Sequence, residues 1–145
     1  MTEIDFHFNA PDKVHHACRL LRKAVGKHGA QLVVVADAAT LDAIDAALWD
    51  FSAVDFVPHC RADSAPHVVA RSPVVLMGAD MGTPPHRQVL VNLGNALPIG
   101  FERFDRLIDI VSSAAEDRQL ARARWRHYAD RGYAIKRHDF GEATA

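Results

Sequence analysis

Little in this sequence could carry an extracellular or membrane-bound reading. Its 145 residues include only two cysteines, Cys18 and Cys60. They lie far apart and form no pair-spaced motif, the usage of a reduced cytosolic protein with no disulfide framework. No apolar run approaches membrane-spanning length, and the N-terminus MTEIDFHFNAPDK carries acidic residues where a signal peptide carries basic ones. A cytoplasmic location with no membrane partner is the expectation. An excess of positive charge is missing too: 17 Lys and Arg against 18 Asp and Glu leave a formal net charge of −1. A general duplex-DNA binder draws its affinity from displaced counterions and needs a strongly basic balance, so global charge argues against that role. No Walker-type glycine loop occurs, and no G-x-G-x-x-G follows a strand-like run. The nearest imitation, Gly78-Ala79-Asp80-Met81-Gly82, lacks the following Lys-Ser/Thr and reads as a turn between strands.

What is present is an ordinary globular composition, 49% apolar and 24% charged in 16.0 kDa, which fits one domain over residues 1–145 with a sizeable core. Ile4, Phe6 and Phe8 alternate as a first strand, and Asn9-Ala10-Pro11-Asp12 supplies a turn and helix start. Val14, Ala17, Cys18, Leu21 and Val25 keep the spacing of a helix lying on a sheet, to about His28, with Gly29 as its stop. The β-branched run Leu32 to Ala36 reads as a strand buried on both faces, expected to pair in parallel with the first. A second helix runs to Trp49. This β-α-β-α pattern predicts an α/β fold: a mainly parallel central sheet flanked by helices, Rossmann-like in topology but without a nucleotide site.

Residues 50–72 show no sustained period and read as a long connection. Residues 73–77 and 88–93 read as two further strands. Leu107 to Val111 has β-like composition but apolar positions that also fit a helical face; a strand is the favoured reading. A helix from about Ala114 to Arg131 follows, with Glu116 and Asp117 in its first turn and Gly132 at its end, then a last strand over residues 133–136.

That last helix is where the charge reading centres. From Arg118 to Arg131 there are five arginines against Asp130 alone, +4, leaving −5 for the rest of the chain. Arg118, Arg122 and Arg126 fall in one stripe at i, i+4 and i+8, and Trp125 sits on the seam between that stripe and the apolar patch of Ala121 and Tyr128. The run fits a solvated surface face. It equally fits a docking surface for a ligand with negative charge and an apolar anchor, since Arg forks onto carboxylates and Trp offers rigid contact area. Arg124 and Arg131 lie on another face of the helix and should matter little to such a ligand. A second aromatic group, Trp49 with Phe56 and Pro58, either caps the core or forms a protein interface.

Catalysis has no convincing constellation. His15, His16 and Cys18, or His59, Cys60 and His67, could be set around zinc on paper, but neither group has ligand-pair spacing. Cys60 and His59 are sequence neighbours that rarely point at each other, so a nucleophile pair is not expected either. No cofactor is implied.

Two motifs together carry a family resemblance: Ala47-Leu48-Trp49 followed by Phe56-Val57-Pro58-His59, and the run L-A-R-x-R-(W/Y)-(R/K)-x-Y-x-x-x-G-(Y/F) from Leu120 to Tyr133. With the F-x-F opening strand and the order of elements, they make the whole chain resemble the chi subunit of bacterial DNA polymerase III holoenzyme. The resemblance implies a non-catalytic, clamp-loader-associated subunit that ties the replicase to single-stranded DNA-binding protein, with contact to DNA mainly indirect. In that family the acidic C-terminal tail of the single-stranded DNA-binding protein, ending in proline, phenylalanine and a free carboxylate, docks near the last helix. The matching positions here are Val111, Arg118, Arg122, Trp125 and Arg126. Arg122 would take the terminal carboxylate, Trp125 and Val111 the phenylalanine ring, and Arg118 and Arg126 the acidic residues. The family's psi subunit, or another clamp-loader component, is expected at Trp49, Phe56 and Pro58. Trp125 stands where the family often has tyrosine, which keeps the platform and removes a hydroxyl. The alternative reading is a direct single-stranded nucleic-acid binder using the face of Arg118, Arg122, Trp125 and Arg126.

Overall fold

The computed structural model describes residues 1–50, 57–78 and 83–141. The alternating N-terminal stretch forms β1 (Glu3–Ala10), and Asp12 then caps α1 (Lys13–His28), its carboxylate accepting the His15 N–H at 3.1 Å. Gly29 ends the helix at φ 58°, a left-handed conformation that glycine enters without a Cβ penalty, and its N–H returns to the Val25 carbonyl. Then come β2 (Leu32–Val35) and α2 (Ala38–Asp50). The stretch read as one long connection holds two short elements, β3 (His59–Arg61) and α3 (Pro66–Arg71). They are three and six residues long, too short to establish a period in sequence. Strands β4 (Val74–Met77) and β5 (Val89–Asn92) follow, then a 3-10 turn at Phe101–Arg103, β6 (Arg106–Ser112), α4 (Ala115–Asp130) and β7 (Ile135–Asp139). The ambiguous stretch at 107–111 is therefore strand, and the last strand begins and ends later than its sequence reading.

All six strand pairings are parallel, in one seven-stranded sheet of order β3-β4-β2-β5-β6-β1-β7. The expected pairing of β2 with β1 does not occur: β2 lies between β4 and β5, and β1 lies between β6 and β7. Sequence neighbours in an α/β sheet need not be spatial neighbours, and local pattern gives no information on which strand slots between them. Every residue of β2, β4 and β5 is buried, as expected where helices cover both faces. Alternation divides the core in two. Ala17, Cys18 and Leu21 of α1 pack with Leu41, Ile44 and Leu48 of α2 on one face. On the other, Ala121 and Tyr128 of α4 pack with Phe6, Leu107, Val111, Phe101 and Phe104.

Candidate protein-docking site

The orientation of α4 is fixed by charge as well as by packing. Asp109, the one acid among the apolar residues of the β6 centre, is fully buried and faces α4, where Arg124 meets it with two parallel bonds, Nε to Oδ2 and Nη2 to Oδ1, both 2.9 Å. The third Arg124 donor reaches the Asn95 carbonyl at 2.8 Å. Burial pushes the Asp109 carboxyl upward and the guanidinium draws it back, while the carboxylate outweighs the effect of burial on Arg124 and holds that group above its usual value. Buried charges persist only when paired in this way. At the helix start, Asp117 accepts the Ser112 N–H at 2.7 Å and Lys13 Nζ at 3.2 Å. Burial alone would raise that carboxyl; the Ser112 and Lys13 contacts win and hold it below its ordinary range.

With Asp117, Ala121, Arg124 and Tyr128 turned inward, helical geometry sends Arg118, Arg122 and Arg126 outward, and all three are exposed. Trp125 lies at the edge between the two faces, half-buried, its ring 5.1 Å from Phe6 and 6.0 Å from Phe8. The Arg137 guanidinium of β7 lies over both Phe8 (5.3 Å) and Trp125 (5.7 Å). Phe8, Trp125 and Arg137 thus form an aromatic seam with its own cation, alongside the exposed arginine stripe. Sequence reasoning missed Phe8 and Arg137. Phe8 was legible through the two-residue period it shares with Phe6, whereas Arg137 needed the β1–β7 pairing. Of the five positions grouped in the sequence, Arg118, Arg122, Trp125 and Arg126 share one surface. Val111 does not: it is 0% exposed, within the cluster that backs Trp125 and Tyr128. Trp125 and Phe8 offer partly exposed ring surface there, and Val111 offers none.

Arg124 and Arg131 also separate as the helical wheel requires, but for Arg124 the reason is burial at 2% exposure rather than a second solvated face. The view that positive charge concentrates on the last helix needs correction. Helix α4 sets four arginines against Glu116, Asp117 and Asp130, and one of those arginines is neutralised inside. Helix α1 carries Lys13, Arg19, Arg22, Lys23 and Lys27 with no acidic residue.

The second predicted surface is partly visible. Trp49 is 62% exposed at the end of α2, its ring 5.4 Å edge-on to His59, and Pro58 is exposed beside it; Phe56 lies outside the described residues. His59 is held between the Val57 carbonyl at 2.7 Å and the Asp45 carboxylate at 2.8 Å, and Arg61 binds Asp42 at 2.6 Å. Cys60 points to the opposite face of the sheet, into the core. Cys18 is buried beneath α1 on the other face, and burial raises its thiol to about 11. Among the described residues, no three His, Cys, Asp or Glu are arranged to hold a metal ion. Among the described residues, the crevice at the C-terminal ends of the central strands, where α/β folds place nucleotides, is lined by Asp12, Asp37, Glu116 and Asp117 with Lys13 as the one cation, an unfavourable lining for a phosphate.

Residues 1–136 match the family described as DNA polymerase III chi subunit, HolC. The chain is also 33% identical to DNA polymerase III subunit chi of Pseudomonas aeruginosa, over 95% of this chain and 96% of that protein.

Proposed function

Since the chain belongs to the DNA polymerase III chi subunit family, we propose that it binds the acidic C-terminal tail of single-stranded DNA-binding protein and links that protein to the polymerase holoenzyme in the cytoplasm. It is a non-catalytic accessory subunit of that complex. The observation that carries the tail reading is the juxtaposition on α4 of three exposed arginines with a half-buried tryptophan. An acidic peptide ending in an aromatic residue needs both parts: guanidinium forks for its carboxylates and an apolar platform for its ring. Arg122 takes the terminal carboxylate, Trp125 and Phe8 receive the ring, and Arg118 and Arg126 attract the acidic residues. Val111 stiffens the platform from below. On the opposite side, Trp49 and Pro58, with Phe56, receive psi or another clamp-loader component, as exposed aromatic anchors do at interfaces.

Titration of the purified chain with a tail peptide, followed by fluorescence anisotropy, tests the assignment. Arg122→Ala and Trp125→Ala are each expected to weaken binding by roughly tenfold or more, the loss of one charge-assisted bond or one aromatic anchor. Arg131→Ala, off the stripe, is expected to bind as the parent does. Trp49→Ala is expected to keep the tail peptide and lose the second subunit in co-purification. Unchanged affinity in both α4 variants would remove the site from this helix.

A further inference from the structure

The most cationic of the described elements lies on the face of the sheet opposite α4. Along α1, Arg19, Lys23 and Lys27 fall at i, i+4 and i+8, with Arg22 between them, and all four are exposed. Four residues of helix rise about 6 Å, so the outer three place cations along a track of about 12 Å. The apolar positions Ala17, Cys18 and Leu21 face the core, and α1 itself carries no acidic residue. This face borders an open groove of about 700 Å³. Among the described residues, no acidic side chain lines that groove.

One end of the groove is walled by rings. The Phe140 ring stands 4.4 Å edge-on to His16 and 5.0 Å from His7, and the Phe140 N–H is tied to the Phe8 carbonyl at 2.9 Å. The His7 and His16 rings join through their Nδ1 and Nε2 atoms at 2.9 Å. The groove therefore offers a short cation track that ends in a half-buried aromatic face. Single-stranded nucleic acid matches both features, with its repeating phosphates along the track and an unpaired base on the ring. A duplex keeps its bases stacked on one another and has no face to offer Phe140. An acidic peptide without an aromatic residue matches the cations but leaves the rings unused. The low net charge is no obstacle, because the cations are gathered on one helix and the contact is short.

We propose that the α1 groove, with Arg19, Lys23 and Lys27 on phosphates and Phe140 against a base, docks single-stranded DNA. The site is separate from the arginine stripe of α4, so the protein can hold a protein tail on one face and a DNA strand on the other.

The probe is a fluorescein-labelled oligothymidylate, followed by anisotropy with the full chain across a salt series. Three phosphate contacts predict a slope of log affinity against log salt of about −2. Combined Arg19→Gln, Lys23→Gln and Lys27→Gln is expected to bring the slope close to zero and to lower affinity at least roughly tenfold at low salt. Phe140→Ala is expected to weaken binding without changing the slope. Combined Arg122→Ala and Arg126→Ala is expected to bind the oligonucleotide as the parent does while losing the tail peptide. Titrating the tail peptide into the α1 variant keeps the two proposals distinguishable, because tail binding should survive there. Three results would overturn the α1 site: no oligonucleotide binding at low salt, loss of DNA binding in the α4 variant with retention in the α1 variant, or tighter binding of polyglutamate than of an oligonucleotide of equal charge. The last would assign the groove to an acidic protein partner.

Discussion

Arg124 shows how one residue's chemistry depends on where the chain puts it. In the sequence it is one arginine of a basic run; in the fold it is the internal partner of Asp109, with its remaining donor on Asn95. Removing it strands a buried carboxylate. Arg124→Ala should therefore destabilise the protein by about 3–5 kcal/mol in urea unfolding, well beyond the effect of Arg122→Ala on the surface. A loss within about 0.5 kcal/mol, typical of exposed positions, would contradict the pairing. The signal in the sequence was the aspartate rather than the arginine: a lone acid within the apolar run LIDIV has to find a cation. The exposed arginines gave no comparable signal, because nothing in a charge run separates a docking face from a solvated one.

His7 is a second residue with a measurable consequence. Burial, followed by the nearby His16 and His138, lowers its pKa to about 4, against the pull of Asp5. The folded state thus holds His7 neutral at pH values where the unfolded chain protonates it. The sign follows directly: this contribution is fully present above the unfolded value of 6.5 and is lost as pH falls towards 4. Unfolding measured between those limits should lose on the order of 2–3 kcal/mol from this group, and His7→Gln should flatten that part of the profile. Asp117, whose folded value lies below the ordinary 3.8, acts only in more acid solution, so the two contributions separate along the pH axis.

At the scale of elements, what could be read beforehand tracks element length and burial. Helices α1 and α4, each of 16 residues, declared themselves through apolar spacing and their stops at Gly29 and Gly132, which both sit at positive φ. The buried strands declared themselves through β-branched runs. Strand β3 and helix α3 did not, each being shorter than two repeats of its own period. The place of β1 between β6 and β7 was equally hidden, and with it the contact of Arg137 with Trp125. The proposed docking surface was therefore legible as a helix face but not as a seam between helix and sheet edge. Val111 was assigned from resemblance and lies below that surface, because alternate residues of β6 face α4 and are covered by it.

At the scale of the whole molecule, one parallel sheet separates three surfaces. Helix α4 and strand β7 present the arginine stripe and aromatic seam, α1 presents a cationic groove on the opposite face, and the end of α2 presents Trp49. An accessory subunit without chemistry of its own acts by holding other molecules in fixed relation, and a rigid sheet with docking sites on separate faces is suited to that. The most direct test of the tail reading compares two peptides on the unmodified chain: an acidic tail ending in phenylalanine and the same tail lacking that last residue. The expected result is a drop in affinity of roughly tenfold or more on removing the ring, with the remaining binding strongly salt-dependent. Equal affinity for the two peptides would contradict the account, leaving Trp125 without a ligand and the arginine stripe as a solvated face.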